Sequence, residues 1–359
     1  TPTAAKLEVH GGGYATSLLI KGSGADTGIK FVDSAGNIDG YIYATNGDIG
    51  FLDDDGDWAV KIDTDTYTKL LVSNVDKLVV DANSRISLSN NDSGGTGGTD
   101  STSANTVLGY LAGASIASGG LDNTIVGHKA GNAITTGDNN VFIGSQAGIE
   151  NTVGQNNVAV GRGSLGSEDQ GNESTAVGHN ALYALNIGGS ANDSTGSTGV
   201  GYQAGFFNVT GTDNTYIGRR AGYGATGQSN SNNVGIGKDA LLAVTTADAN
   251  VAIGASAGAA ITTGASNVII GETALDAATT ALNNVAIGRY AMSAVPSGQA
   301  VNGCVSIGMN AMLGAAGTTT GANYSIAIGR ESLKAITTGA GNVAVGYESC
   351  AAMTSNTGN

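Results

Sequence analysis

The chain has 359 residues and a formal net charge of −14, with 29 Asp and Glu against 15 Lys and Arg. So acidic a surface repels polyanions, and nucleic acid is excluded as an expected partner. Charged residues are 12% of the chain, aromatics 5%, and Gly fills 59 positions against 2 for Pro, which leaves too few large apolar side chains for the thick core of a globular enzyme.

Residues 1–90 read as a β-rich module. The first hundred residues hold 15 of the acidic groups and 7 of the basic ones, and so carry −8 of the net charge. Short alternating runs, separated by Gly, Asn and Asp, predict strands at Lys6 to His10, Ser17 to Lys21, Gly28 to Val32, Tyr41 to Ala44, Trp58 to Ile62, Leu70 to Val72 and Lys77 to Val80. Asp53, Asp55 and Asp57 have the one-three-five spacing of an EF-hand loop. Trp58 and Thr64 stand where that loop needs its Gly and its Glu, so the cluster reads as an acidic hairpin tip. Residues 91–103, rich in Gly, Ser and Thr, read as a junction; within it, Gly94 to Asp100 is one place out of step with the Gly-Gly-x-Gly-x-Asp calcium repeat.

From residue 104 to 359 the chain repeats. An aliphatic residue followed by glycine recurs at Gly109, Gly127, Gly144, Gly161, Gly178, Gly201, Gly218, Gly237, Gly254, Gly271, Gly288, Gly308, Gly329 and Gly346, most often 17 residues apart. So short a period predicts about fourteen stacked coils of an all-β solenoid, a rod of roughly 60 Å at about 4.8 Å per rung. Val, Ile or Leu always stands one place before the glycine and Thr, Val or Ile three places before; their spacing predicts a short strand with these two side chains facing inward. The residue between them ranges from Phe142 and Tyr216 to Gly199 and Ser306, and reads as outward. Asn stands four before the glycine in ten coils and suits a left-handed corner. Three after the glycine stands only Ala or Ser, as a crowded interior requires. Seven before it, a further glycine (Gly120, Gly137, Gly154, Gly171, Gly211, Gly264 and Gly339) predicts a second turn. Longer steps, such as Gly178 to Gly201, add residues only after the small position, and these should project as loops along one edge.

Sites of chemistry are sparse. His10, His128 and His179 do not cluster, and no metal centre is expected. Cys304 and Cys350 occupy non-equivalent coil positions and are not expected to pair. Gly237-Lys238 lacks the first glycine of a phosphate loop, where Asn232 stands instead. No catalytic residue and no cofactor is assigned. One row stands out: immediately after the motif glycine come Tyr110, His128, Arg162, His179, Tyr202, Arg219, Lys238, Arg289, Arg330 and Tyr347. The row reads as a solvated corner or a place for salt bridges between subunits; as a recognition row its aromatic and Arg groups would suit a cell-surface glycan. No apolar run is long enough to cross a bilayer as a helix, so membrane insertion is not expected. The chain stops as another Thr-Ser-Asn-Thr-Gly-Asn corner begins, and both Thr1 and Asn359 read as cuts in a longer protein.

Gly28 to Asp65 (GIKFVDSAGNIDGYIYATNGDIGFLDDDGDWAVKIDTD) resembles modules of the tail-fibre proteins of tailed bacteriophages, and Thr1 to Val9 is similar to a segment common in the same proteins. The Asn-x-Ala-Ile-Gly-x-x-Ala units resemble the left-handed β-roll of the head region of YadA-like trimeric autotransporter adhesins, which recurs in phage fibres. The resemblance implies a β-rich fibre module followed by a β-roll, intertwined or packed as a homotrimer. It also implies a structural, non-enzymatic role in a tail or side fibre that spaces and presents host-cell binding, on the extracellular virion. Expected partners are further copies of the chain, other virion fibre or baseplate proteins, and a host surface glycan; a self-cleaving chaperone domain would lie beyond Asn359. A thin core that buries little alone also favours association. The alternative is a passenger segment of a trimeric bacterial surface adhesin, which flanking sequence would distinguish. A glycan-degrading fibre would need paired acids in a groove, and the sequence places none.

Overall fold

A computed structural model describes residues 26–32, 38–45, 48–52, 58–63, 67–72, 75–81, 86–88, 104–117, 119–186, 188, 194–295, 301–314, 321–355 and 358. The described residues are all-β, without helix. They fall into two compact units, one with the first seven strands and one with the remaining fourteen.

The first unit is an antiparallel sheet in chain order: β1 (Asp26–Val32), β2 (Ile38–Thr45), β3 (Asp48–Leu52), β4 (Trp58–Asp63), β5 (Tyr67–Val72), β6 (Val75–Asp81) and β7 (Ile86–Leu88). Two of these were not predicted: Gly50 interrupts the apolar alternation of β3, and β7 has only three residues. The expected strands at Lys6 to His10 and Ser17 to Lys21, the Asp53 to Asp57 cluster and the 91–103 junction lie outside the described residues. Register places Ile29 opposite Ile42, Ile42 opposite Phe51, and Phe51 opposite Val60, an apolar row across four strands. On the same face Ile29, Phe31, Ile49 and Phe51 are all exposed.

The second unit is a parallel β-solenoid. Fourteen three-residue strands, from β8 (Thr106–Leu108) to β21 (Val343–Val345), pair in chain order in one sheet, and thirteen turns of the coil join them. Equivalent residues align, Val251 with Val268 and Ile253 with Ile270 for example. The motif glycines therefore stack. All fourteen have φ between 126° and 137°, and a Cβ built on Gly254 would lie 2.6 Å from the Gly271 carbonyl oxygen. No L side chain adopts that backbone without strain, and none has room there.

The inward and outward faces are the reverse of the sequence expectation. In thirteen of the fourteen solenoid strands the middle residue is buried, Val107 of β8 being half-buried; Ile125, Phe142, Ala159, Ala176, Tyr216, Ala252, Ile269, Ala286 and Ala327 are fully enclosed. The flanking aliphatic residues point outward, and Ile143, Ile217, Ile253 and Ile328 are each 37–39% exposed. The interior varies because two rows share it, the mid-strand residue and the residue four after the glycine. Phe142 is matched by Gly148, where a Cβ would meet the ring at 2.8 Å, whereas Ala159 is matched by Leu165 and Ala176 by Leu182. Where both are glycine, as at Gly199 and Gly205, Leu182 from the preceding coil fills the space. Where a layer is thin, side chains of adjacent coils fill it, as Leu241 and Ile269 do around Gly258, so the space is shared between neighbouring coils.

The Asn row also differs from its expected role. Left-handed backbone falls one place earlier, at Asp122, Asn139, Asn156, Asn232 and Asn283 among others. The Asn side chains themselves are buried and form a ladder. The backbone N–H of Asn250 donates to Asn233 Oδ1 at 3.0 Å, and that of Asn267 donates to Asn250 Oδ1 at 3.1 Å. Asn250 Nδ2 donates to the Gly264 carbonyl at 2.9 Å. The glycines seven before the motif glycine serve close approach rather than a left-handed turn: of the seven, only Gly339 has positive φ. Asn250→Ala is expected to cost about 2 kcal/mol, because it leaves a buried N–H and a buried carbonyl without partners; the midpoint of urea unfolding measures it.

Candidate functional site

Three surfaces of the solenoid carry groups that a partner could use. The first is the sheet face. Each strand presents two outward side chains, all of them Thr, Val, Ile or Leu, so the face runs through all fourteen strands without a charge. Exposure along it is greatest near the two ends, at Leu108, Val343 and Val345.

The second is the row after the motif glycines. The structure places Tyr110, His128, Arg162, Tyr202, Arg219, Lys238, Arg289, Arg330 and Tyr347 at the exposed surface, with His179 half-buried. Much of the row contacts itself from coil to coil. Tyr110 stacks on His128 at 5.7 Å and His179 on Tyr202 at 5.5 Å. Arg162 Nη1 lies 3.1 Å from His179 Nε2, Arg219 pairs with Asp239 at 3.6 Å, and Arg289 pairs with Glu272 at 3.0 Å. Arg330 lies 5.8 Å from the Tyr347 ring centroid. The salt bridges thus join coils within one chain. The pairs are exposed and screened, worth about 1 kcal/mol or less each.

The third surface was not read from the sequence. Five places after the motif glycine, consecutive coils carry Tyr183, Phe206 and Tyr223, whose rings stack at 5.3 and 5.5 Å. Phe207 closes edge-on against both Phe206 and Tyr223, and Arg220 lies over the Tyr223 ring at 4.9 Å. The signal was present as three aromatics in one coil position, but the 23-residue step from Gly178 to Gly201 breaks the spacing that would show it.

One acid is buried in the solenoid. Glu168 is fully enclosed, its Oε1 accepts the backbone N–H of Gly171 at 2.6 Å, and its Oε2 has no partner among the described residues. Loss of solvent raises its carboxyl from the ordinary 4.5 to about 7, helped by the neighbouring Asp169 and opposed by backbone donors at Gly171 and Gln170. Between those values the folded chain holds a proton that the unfolded chain releases. Stability therefore falls as pH rises from about 4.5 to 7, with the full cost present above 7. Glu168→Gln is expected to gain about 2 kcal/mol at pH 8 and almost nothing at pH 4, as read by thermal melts at the two pH values.

Cys304 is buried, Cys350 exposed, and both are free thiols. Among the described residues no three His, Cys, Asp or Glu side chains come together as a metal-binding group, and no helix is long and apolar enough to cross a membrane. His128 and His179 stand in the row after the glycines, and His10 lies outside the described residues. Compared with models of known protein families, with curated proteins and with solved structures, the chain finds no match.

Proposed function

We propose that the chain is a structural segment of a phage tail or side fibre, assembled as a parallel homotrimer, which spaces and presents host-cell binding on the extracellular virion without catalysing a reaction. The observation that carries this reading is the uncharged face of Val, Ile, Leu and Thr along all fourteen strands of the solenoid. Soluble monomers leave apolar patches of only a few hundred Å² uncovered, and a face repeated on every rung suits an identical rod laid in register beside it. The exposed Ile29, Phe31, Ile49 and Phe51 face of the N-terminal sheet supports the same conclusion. The three-fold count rests on the resemblance to fibre proteins. Further fibre or baseplate proteins would join such a rod at its ends, and the row from Tyr110 to Tyr347 would offer rings and cations to a host glycan along its side.

Light scattering on the purified chain tests the assembly. The expected result is three times the single-chain mass at micromolar concentration, independent of dilution over about tenfold. A stable monomer would remove the fibre reading.

A further inference from the structure

The aromatic stack has an open end. Its terminal ring, Tyr183, leans over Gly166, which holds the same coil position one turn earlier and supplies no ring to continue the stack; a Cβ there would meet the Tyr183 ring at 2.6 Å. The same coil also has glycine two places after its motif glycine, at Gly163, where the flanking coils carry Gln146 and Asn180. The Asn180 side chain settles over Gly163 as Tyr183 does over Gly166, and beside these two contacts lies a recess of about 390 Å³, lined by Gln146, Glu150, Arg162, Asn180, Tyr183 and Phe206.

We propose that this recess binds a neutral hexopyranose unit of a glycan. The volume suits one or two pyranose rings. Aromatic rings at one end offer the apolar C–H face of a sugar a surface, and Tyr183 is 39% exposed there. Around the ring stand two amides, a carboxylate and a guanidinium, planar groups that bond adjacent hydroxyls in pairs. Gln146 and Glu150 line the recess, and no described residue engages their side chains in a hydrogen bond or ion pair, which leaves them available to a ligand. Arg162 is held by His179 rather than by a carboxylate. One acid and one base leave the site without net charge, and the acidic chain around it disfavours an anionic sugar. The site rests on this recess and not on the assembly of the fibre.

The test is titration of the full chain with the methyl glycosides of glucose, galactose, mannose and N-acetylglucosamine, and separately of glucuronic acid, by saturation-transfer NMR and calorimetry. At least one neutral sugar should bind with a dissociation constant near 1 mM, on the order of −4 kcal/mol. Tyr183→Ala and Arg162→Ala should each weaken it at least fivefold, and Gly166→Leu, which displaces the Tyr183 ring from its seat, should abolish it; Thr263→Ala, at an exposed position outside both the recess and the row, should leave it unchanged. Melting temperatures confirm that each variant folds, and any one folded variant of the three recess positions suffices. Absence of neutral-sugar binding, binding of glucuronide alone, or binding unaltered by every folded recess variant overturns the proposal. Because the chain's mass is measured independently, failure here leaves the fibre reading standing, and the reverse also holds.

Discussion

Ala252→Asp should prevent the solenoid from folding, while Ile253→Asp, one residue later, should leave the coils intact. Ala252 is fully buried in the strand Val251–Ile253, within the apolar cluster that includes Leu241, Ile261 and Ile269. A carboxylate there meets neither water nor a partner, and the loss is on the order of 4 kcal/mol. Ile253 is 37% exposed on the opposite face. A charge at that position remains hydrated in the single chain but would be trapped where copies meet, so its effect should appear as a loss of mass in light scattering. Circular dichroism melts of both variants decide the assignment: equal collapse of the two would mean that both faces are core.

Gly254→Ala should be among the more damaging single-methyl changes in the repeat. It puts an L residue at φ 137° and a Cβ 2.6 Å from a stacked backbone oxygen that belongs to the next motif glycine and has no room to yield. Backbone strain of about 1–3 kcal/mol adds to that clash, and a total of about 3 kcal/mol or more is expected. Ala255→Ser, at an exposed position beside it, is the control and should not move the denaturation midpoint. A Gly254→Ala midpoint within error of the parent would show that the glycine ladder can relax, and that its stacking does not fix the coil.

The sequence displayed the period, the glycine ladder and the short strands because each is fixed position by position. The inside of the coil was misread for the opposite reason. Phe142, Ala159, Gly199 and Tyr216 look unconstrained one at a time, yet each is complemented from a second row, by Gly148, Leu165 and Gly222 in the same layer and, for Gly199, by Leu182 of the coil before. Complementarity between two rows and between adjacent coils is invisible in either row alone. The outward rows looked like core because they are all uncharged and mostly aliphatic, which is also what a face needs if copies are to meet on it. The Asn residues were seen but given a corner's role, since most of their bonds run to the coils before and after them. The recess was hidden because its members come from four coils, one of them separated by the longest step in the repeat.

The thirteen turns between strands also set how such a rod responds to tension. Bonds between coils, such as that from the Val251 N–H to the Asn267 carbonyl at 2.8 Å, lie along the direction in which coils stack. A pull on the two ends therefore loads them one coil at a time, from an end inward, instead of shearing many together. Each 17-residue coil that comes away from a rung about 4.8 Å high frees about 60 Å of extended chain. Each released coil thus spans more than ten times the height it held in the stack while the coils still wound keep their shape, which would make the proposed fibre an extensible tether as well as a spacer.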